Sequence, residues 1–398
     1  MKEKLWTKDF ILTFVANFFC ALIFYLLMVT LAAYATNSFH ASASMAGLVV
    51  SIFSIGALFA RVFTGKYMEV IGRNLITRIG LVFFLLTALA YIPVKSLPLL
   101  IIVRFINGLS FGVSSTCLQT IGMTLVPDSR RGEGTGYFML SQNFATAAGP
   151  FVGLYLFNHF NYTVIFSLCS ACAAICFILI LIVHIRNVEL SDVDRKTACS
   201  GFKLKDTIEL KAVPISVFML VMSVCYGAIM SFMNSYAIET DLKAASTWFF
   251  VVYAFVLLIA RPIAGSIQDK KGDNFVIYPA ISSYAIGFFI LFVAKSGFTF
   301  LVSAAFFALG YGTLLSCCQA MAIKKTTIQR YGLAVSTFFI CCDSGVGIGP
   351  VILGMIAPSA GYRGVYMACA VIVVISLITY RLLQLKKGNS KMNQVKAG

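Results

Sequence analysis

The chain has 398 residues, of which 60% are hydrophobic and only 12% are charged, and its mean hydropathy is +0.91. A soluble protein needs more charged surface than this, so the composition excludes soluble domains and indicates a bilayer as the solvent. A net charge of +16 would suit nucleic-acid binding, but the distribution of the 31 Lys and Arg residues along the chain excludes that class.

Long apolar stretches recur along the whole chain, and each is long enough to cross a hydrocarbon core of roughly 30 Å as a helix. The predicted fold is therefore an all-α membrane protein. The twelve predicted spans cover residues 10–36, 44–68, 75–95, 98–124, 134–158, 161–186, 213–238, 244–268, 275–294, 298–323, 332–357 and 361–385. The N-terminus starts like a signal peptide, but the apolar run behind it is too long and lacks a small-residue cleavage site. We therefore expect a retained first helix.

The basic residues lie almost entirely on one side of the membrane in this arrangement. Only Lys95, Lys243, Lys295 and Arg363 fall on the opposite side, and Arg104 lies inside a span. Since cytoplasmic loops carry the excess of Lys and Arg, the basic side is predicted to be cytoplasmic. The protein is then expected in the cell (inner) membrane, surrounded by lipid, with both termini in the cytoplasm.

The longest polar segment, residues 187–212, divides the spans six and six. It is predicted to be a cytoplasmic linker between an N-terminal bundle, 1–186, and a C-terminal bundle, 213–398. Identical residues recur at a separation of 200 across this linker: Gly112 and Gly312, Cys117 and Cys317, Gln119 and Gln319, Gly149-Pro150 and Gly349-Pro350, Tyr162 and Tyr362. These are special Gly, Pro and polar positions at matching places, so they indicate a duplication. Many secondary transporters consist of two repeated halves with a substrate site between them.

The twelve Cys residues lie nearly all within the spans, and the sequence contains no CxxC motif. Free Cys in such places packs as a small apolar residue, so neither a disulfide framework nor a metal site is predicted, and no cofactor is expected. HExxH, Walker A and paired catalytic carboxylates are also absent from the sequence. Their absence excludes an ATP-driven pump within this chain.

The sequence GLSFG, residues 108–112, matches the G-x-S-x-G motif of serine hydrolases. That motif requires a strand-turn-helix setting, whereas these residues lie inside a predicted membrane helix. An intramembrane serine protease would still need a helical His partner, and the three His residues of the chain lie at span ends or in loops. Ser110 is therefore not expected to be a nucleophile, and no enzyme activity is predicted.

A polar pattern occurs twice on the cytoplasmic side, as RVFTGKYMEVIGRN at 61–74 and as RPIAGSIQDKKGDN at 261–274. It resembles the loop signature of the major facilitator superfamily, G-x-L-x-D-R-x-G-R-K. The residues of the two copies are Arg61, Gly65, Glu69, Gly72 and Arg73, and Arg261, Gly265, Asp269, Lys270 and Gly272. The first copy has Glu69 for Asp, Val70 for the basic residue and Asn74 for Lys, so the basic partner of Glu69 must be Arg73 or come from elsewhere.

Glycines in these loops let a helix end and turn tightly, and an acid with a neighbouring Arg makes charge-assisted bonds. We expect the two copies to form a cytoplasmic latch that holds the two halves together in one state of an alternating-access cycle. The alternative is a short cytoplasmic loop that merely collects Gly and basic residues.

Span 4 contains Arg104, Gly108 and Gly112 in the arrangement R-x-x-x-G-x-x-x-G. A guanidinium stays charged, so inside a membrane it should face a cavity or a partner. The arrangement is similar to the fourth-helix motif of proton-coupled members of the superfamily, in which the Arg is implicated in proton transfer or in binding charged substrate. The alternative is a side chain that reaches towards the outer headgroups.

Span 5 contains GYFMLSQNFATAAGPFVGLYL, residues 136–156, which resembles the antiporter signature of the family. Gly136, Gly149, Pro150 and Gly153 match it, while Ala145 and Leu154 replace two small or Gly positions. The Pro removes a backbone hydrogen bond and the adjacent Gly lets another helix approach, which favours a kinked contact surface and export over import. The repeat supplies Gly349 and Pro350. A generic Gly-Pro kink is the alternative.

Asp343 is the one acid predicted deep in a span, and its repeat equivalent is Asn143. An ionised carboxylate at mid-membrane is costly unless it is paired or protonated, so Asp343 is a candidate proton carrier. A structural carboxyl, hydrogen-bonded between the halves, is the alternative. Many drug:proton antiporters of the family carry an acid in span 1, where this chain has only Asn17.

Spans 1, 4, 7 and 10 line the cavity in this superfamily. The resemblance gives these candidates for the substrate cavity: Asn17, Phe18, Tyr25, Asn107, Tyr226, Met230, Asn234, Tyr311 and Gln319. Aromatic and Met side chains suit a lipophilic or amphipathic solute, and the amides would orient it. Each of these residues could equally serve packing.

Together, the motifs most resemble the drug:proton antiporter group. They imply a monomeric transporter that exports a small organic solute, a drug-like compound or a metabolite, in exchange for protons. The first alternative is uptake of an organic anion by proton symport, with Arg104 as the anion contact. An intramembrane hydrolase or a non-transporting membrane scaffold would represent a different class.

Overall fold

A computed structural model of the chain describes residues 4–41, 43–185, 207–324 and 326–396. All regular secondary structure in these ranges is helical. The long helices are α1 (Lys8–Phe39), α2 (Ala43–Ile71), α3 (Arg73–Ala90), α4 (Leu97–Thr124), α5 (Arg131–His159), α6 (Tyr162–Ile182), α7 (Val213–Glu239), α8 (Lys243–Lys271), α9 (Asp273–Val293), α10 (Gly297–Phe307, a π-helical turn Ala308–Gly312, and Thr313–Lys324), α11 (Tyr331–Gly354) and α12 (Ala357–Lys396). Short 3₁₀ turns, Asp128–Arg130 and Ile328–Arg330, precede α5 and α11.

Eleven helical stretches in the described part of the chain are long and apolar enough to cross a membrane. This result confirms a multi-pass, all-helical membrane protein. The stretch that falls outside the eleven is α5, the predicted fifth span. It is as long as its neighbours, but its many Gly, Ser, Thr and Asn residues make it less apolar.

Two glycines turn the chain between long helices. Gly72 separates α2 from α3 with a φ of 97°, and Gly272 separates α8 from α9 with a φ of 92°. A residue with a Cβ is strained at such angles, whereas Gly is not. One residue therefore suffices to reverse the chain at each copy of the repeated loop pattern.

The described helices form two compact units, Met1–Val213 with Gln319–Ile340, and Pro214–Cys318 with Cys341–Gly398. The end of α10 and the start of α11 thus pack with the first six helices. Of the predicted linker, only residues 207–212 lie within the described ranges. The predicted boundaries of the two bundles, at 186 and 213, stay a prediction.

Polar residues lie inside the first unit and apolar residues lie on its surface. Phe83 and Ile102 are 53% and 55% exposed, whereas Arg104, Asn107 and Gln119 on α4 are buried. This distribution is the reverse of that on a soluble helix and suits helices whose outer surface meets lipid. The polar side chains that could bind a solute or a proton therefore lie in the interior of the unit.

Candidate functional site

The first copy of the loop pattern forms a buried ion pair in the first unit. Arg73, the first residue of α3, donates from Nη2 to Oε1 of Glu69 at 2.7 Å and from Nε to both carboxylate oxygens at 2.9 Å. Only 1% of the Arg73 side chain and 6% of the Glu69 side chain are exposed. The basic partner that Val70 does not provide is therefore Arg73, across the Gly72 turn.

The same ion pair contacts the start of α11. Arg73 Nη2 also donates to the carbonyl oxygen of Ile328 at 2.6 Å, and its Nη1 donates to Thr124 Oγ1 at 2.8 Å. The Glu69 carboxylate accepts a hydrogen bond from the backbone N–H of Gly332, in the first turn of α11. A carboxylate at a helix N-terminus is favourable, because the first N–H groups of the helix point towards it. The pair thus binds the α2–α3 turn to α11.

Gly65 lies where α2 approaches α11 most closely. A Cβ on Gly65 would lie 2.5 Å from Ser336 Cβ, so any larger residue would displace α11. Ser336 Oγ donates to the Arg61 carbonyl, and the Arg61 guanidinium lies 5.1 Å from the centroid of the Phe339 ring. Arg61, Gly65 and Glu69 are spaced four apart, so one face of α2 presents all three to α11.

The second copy, in the second unit, uses different side chains. Gln268 Nε2 donates to Asp273 Oδ1 at 3.0 Å and to the Cys317 carbonyl at 3.1 Å. Arg261 is buried and donates from Nε to the carbonyl of Gly312 at 2.9 Å, in the π-helical turn of α10. Asp273 replaces Arg73 at the repeat position. The two copies therefore share the Gly turn but not the pairing of charges.

The other predicted latch residues of the second copy lie near the end of α8. Lys270 is exposed in the last turn of this helix, Asp269 is half-buried beside it, and Gly265 is buried one turn earlier.

Arg104 faces the interior of the first unit. It is 0% exposed, and its guanidinium lies 4.2 Å from the centroid of the Phe53 ring. Nη1 donates to Asn107 Oδ1 at 3.3 Å, Tyr91 OH donates to the same oxygen at 3.3 Å, and Asn107 Nδ2 donates to Thr87 Oγ1 at 3.0 Å. Within the described ranges, Arg104 Nε and Nη2 have no hydrogen-bond partner. Two open donors on a buried cation can bind an anionic group.

The antiporter-type segment of α5 packs against α1. A Cβ on Gly149 would lie 2.6 Å from Tyr25 Cβ, and one on Gly153 would lie 3.1 Å from Val29 Cγ2. Pro150 lies inside the helix, between these two contacts. Without side chains at 149 and 153, α5 can approach α1 closely at the turn where its backbone lacks a donor.

The other α1 and α5 candidates lie along the same pair of helices. Asn17 is buried and donates from Nδ2 to Ser141 Oγ at 2.7 Å, Phe18 is half-buried, and Gly136 is buried. In the second unit the repeated glycine, Gly349, packs against the Val224 backbone of α7, and Pro350 contacts α7 at Gly227. The structure thus assigns most of these residues to helix–helix contacts.

The candidate acid of the second unit, Asp343, interacts with one of two stacked tyrosines. The rings of Tyr226 and Tyr311 stack with centroids 4.0 Å apart and planes at 9°, and Tyr311 OH lies 3.0 Å from Ser223 Oγ. The half-buried Asp343 of α11 interacts electrostatically with Tyr311. Met230 is half-buried on α7, and the side chain of Asn234 lies outside the described residues. The structure therefore brings Tyr226, Tyr311 and Asp343 into one cluster.

Two contacts of the first unit join residues that are 200 positions apart. Gln319 donates from Nε2 to Gln119 Oε1 at 3.2 Å, and Arg131 donates from Nη2 to Tyr331 OH at 2.9 Å. Arg131 also pairs with Asp128 and donates from Nη1 to the Met123 carbonyl at 2.9 Å. Motif reasoning missed Arg131 and Tyr331, although their separation of 200 was a signal available in the sequence.

These features define a class of protein. An all-helical chain that crosses the membrane many times, with buried charges inside its helical units, is a membrane transporter. The chain belongs to the Major Facilitator Superfamily, whose family model matches residues 13–297 and 243–396. Members of this superfamily carry small-molecule substrates and are not enzymes.

Known proteins of the family resemble the chain over most of its length. It is 21% identical to the staphylopine export protein of Staphylococcus aureus, covering 85% of this chain and 87% of that protein. It is 23% identical to the multidrug resistance protein MdtG of Dickeya zeae, covering 97% and 96%. The crystal structure of FucP, a transporter of the family in the outward conformation, matches with a TM-score of 0.74 at 16% identity, covering 95% and 99%. This likeness shows a shared fold.

Proposed function

We propose that the protein exports a small organic solute by alternating access, driven by proton entry. The observation that carries alternating access is the buried Glu69–Arg73 pair on the start of α11. This contact joins segments that the predicted repeat assigns to different halves. It is polar and directional, so it can break and re-form as a unit in each cycle.

The direction of transport is inferred from α5. The close packing of Gly149 and Gly153 against α1 is the arrangement that the antiporter-type signature requires. Two relatives whose names denote multidrug resistance and staphylopine export support the same direction. The solute is then a drug-like compound or a metabolite.

Proton coupling is assigned to Asp343. Its half-buried carboxyl lies in α11 and interacts with Tyr311. An acid inside a membrane-spanning helix can carry a proton, because the neutral form is the less costly one in the bilayer unless the charge is paired. The stacked Tyr226 and Tyr311 rings beside it offer an aromatic surface for an amphipathic solute. One site would then serve both the proton and the solute.

The proposed architecture has twelve spans in two six-helix bundles, with α5 as the fifth span. Both termini and the Glu69–Arg73 pair lie on the cytoplasmic side of the cell membrane, as the positions of the Lys and Arg residues predict. The protein acts as a monomer.

A second candidate function is the uptake of an organic anion with protons. The open Nε and Nη2 donors of Arg104 favour it, because a buried guanidinium gains most from an anionic partner. In this case the solute would reach Arg104 from outside and leave into the cytoplasm.

The test is solute-dependent proton movement in everted vesicles, with fluorescent cationic, anionic and neutral probes. The exporter predicts that a probe accumulates in the vesicles while protons leave, and that Asp343→Asn abolishes the proton signal. Asp241→Asn, at an exposed acid beyond the end of α7, serves as the matched control. Proton movement that persists in Asp343→Asn would overturn the coupling, and inward accumulation by intact cells would establish the importer.

A further inference from the structure

Glu209 is a buried acid that belongs to none of the sequence motifs. It lies just before α7, and its residue is 4% exposed. Its carboxylate pairs with Arg330 Nε through Oε2, and its backbone N–H donates to Thr337 Oγ1 at 3.0 Å. Arg330 is the last residue of the 3₁₀ turn before α11, and Thr337 lies within α11. Glu209 therefore holds the start of α11 at two places.

The segment that Glu209 holds is the same segment that receives the Glu69–Arg73 pair. Arg73 bonds to the Ile328 carbonyl, two residues before Arg330, and Glu69 accepts from the Gly332 N–H, two residues after it. Residues 328–337 are thus bound by the α2–α3 turn and by Glu209 at once. All of these residues belong to the first compact unit.

The repeat shows that this arrangement is not a general feature of the fold. The residues equivalent to Glu209 and Arg330 are Asp9 and Arg130, again an acid and an Arg. Yet Arg130 pairs with Glu133 in the first turn of α5 at 2.7 Å, and Asp9 Oδ1 accepts from the His184 N–H at 3.3 Å.

The equivalent of Glu133 is Leu333, which cannot pair with Arg330. The pairing of Arg330 with Glu209 is therefore specific to the half of the chain whose helix receives Arg73.

We propose that Glu209 is a positioning residue of the Glu69–Arg73 contact: it fixes residues 328–337 where the Ile328 carbonyl and the Gly332 N–H meet that pair. The inference rests on the proposed function, because it gives Glu209 a part in the contact that is made and broken during transport. Glu209 belongs neither to the proposed proton carrier nor to the proposed solute surface. It acts through the segment that it orders.

The test is amide hydrogen exchange of residues 326–340 in the full-length protein in lipid nanodiscs. Glu209→Gln keeps the shape of the side chain and removes its charge, and Arg330, which is 48% exposed as a side chain, can then turn to water. We expect exchange in this segment to rise about tenfold, the scale of one lost charge-assisted hydrogen bond. Asp9→Asn and Glu133→Gln, which change the equivalent contacts of the other half, should leave it unchanged.

A measurement specific to the Glu69–Arg73 contact combines Glu209→Gln with Arg73→Lys in one double variant. If Glu209 positions the segment for Arg73, the effect of Arg73→Lys on exchange becomes much smaller in the Glu209→Gln background. Additive effects would show that Glu209 only stabilises its surroundings, and unchanged exchange in Glu209→Gln would show that it fixes nothing; either result overturns the proposal. Because exchange requires no transported solute, a failure of the proposed transport function would be seen separately.

Discussion

Gln319 donates a hydrogen bond to Gln119 at 3.2 Å, and the two residues hold the same position in the two halves of the repeated sequence. Equivalent residues of a duplicated chain can touch only close to the axis that relates the repeats. The Arg131–Tyr331 contact, between residues with the same separation, obeys the same rule. Both contacts lie in the first compact unit, at buried positions of α4, α5, α10 and α11.

The amide pair should contribute to stability only as a pair. Gln319→Leu leaves the Gln119 carbonyl without its donor in a buried place, so we expect the free energy of unfolding to fall by about 1–3 kcal/mol. Replacing both residues by Leu removes both polar groups and should cost less than the sum of the two single changes. Thermal unfolding in detergent measures the stability of the three variants. A loss in the double variant equal to the sum of the two single losses would contradict the pairing.

Arg73→Lys tests the Glu69–Arg73 contact on α11. Lys cannot make the two-pronged bond to Glu69 while also reaching the Ile328 carbonyl and Thr124, so the contact should weaken by about 1.5–3 kcal/mol. We expect reduced export at normal expression, measured as loss of resistance or slower probe accumulation in everted vesicles. Lys95→Gln, at an exposed residue outside both loop copies, is the control and should transport normally. Equal transport by both variants would remove the latch from the mechanism.

Gly149→Ala tests the packing of α5 on α1. The new methyl group would lie 2.6 Å from Tyr25 Cβ, so the helices must separate, at a cost of about 1–3 kcal/mol. Gly347→Ala in α11 is the matched control, since no heavy atom lies within 4 Å of the position of its new Cβ in the described structure. We expect lower thermal stability and lower export for the first variant only. Native behaviour of Gly149→Ala would mean that close packing is not required.

Substitution of Arg104 tests whether the protein exports a general solute or takes up an anion. If its open donors bind an anionic group, Arg104→Gln should weaken binding of anionic probes by about 10- to 150-fold, the equivalent of roughly 1.5–3 kcal/mol. Asn107→Asp should have a similar effect, because it places a carboxylate beside the guanidinium. Binding of neutral probes is the internal comparison, measured by ligand-induced shifts in thermal unfolding. An equal loss for anionic and neutral probes would assign Arg104 a structural role.

The sequence predicted those features that a local pattern dictates. The sequence predicts a turn at Gly72, because this Gly separates two long apolar runs. It also predicts Arg73 as one possible partner of Glu69, because Val70 carries no charge. The contacts of Arg73 with Ile328 and of Glu209 with Arg330 could not be predicted, because they join residues far apart in sequence with no shared motif. Cavity candidates such as Asn17 prove to bond to a neighbouring helix, and a helical pattern alone does not determine which neighbour a polar side chain meets.

The Arg131–Tyr331 contact has a consequence for the ancestry of the chain. An amide both donates and accepts, so Gln119 and Gln319 could stay identical when two copies of one gene faced each other as a symmetric dimer. A guanidinium only donates and is always charged, so two Arg residues meeting at the same axis would repel each other. An Arg opposite a Tyr requires two different sequences. We infer that this pair became possible only once the two copies of the repeat could change independently, which means after the duplication.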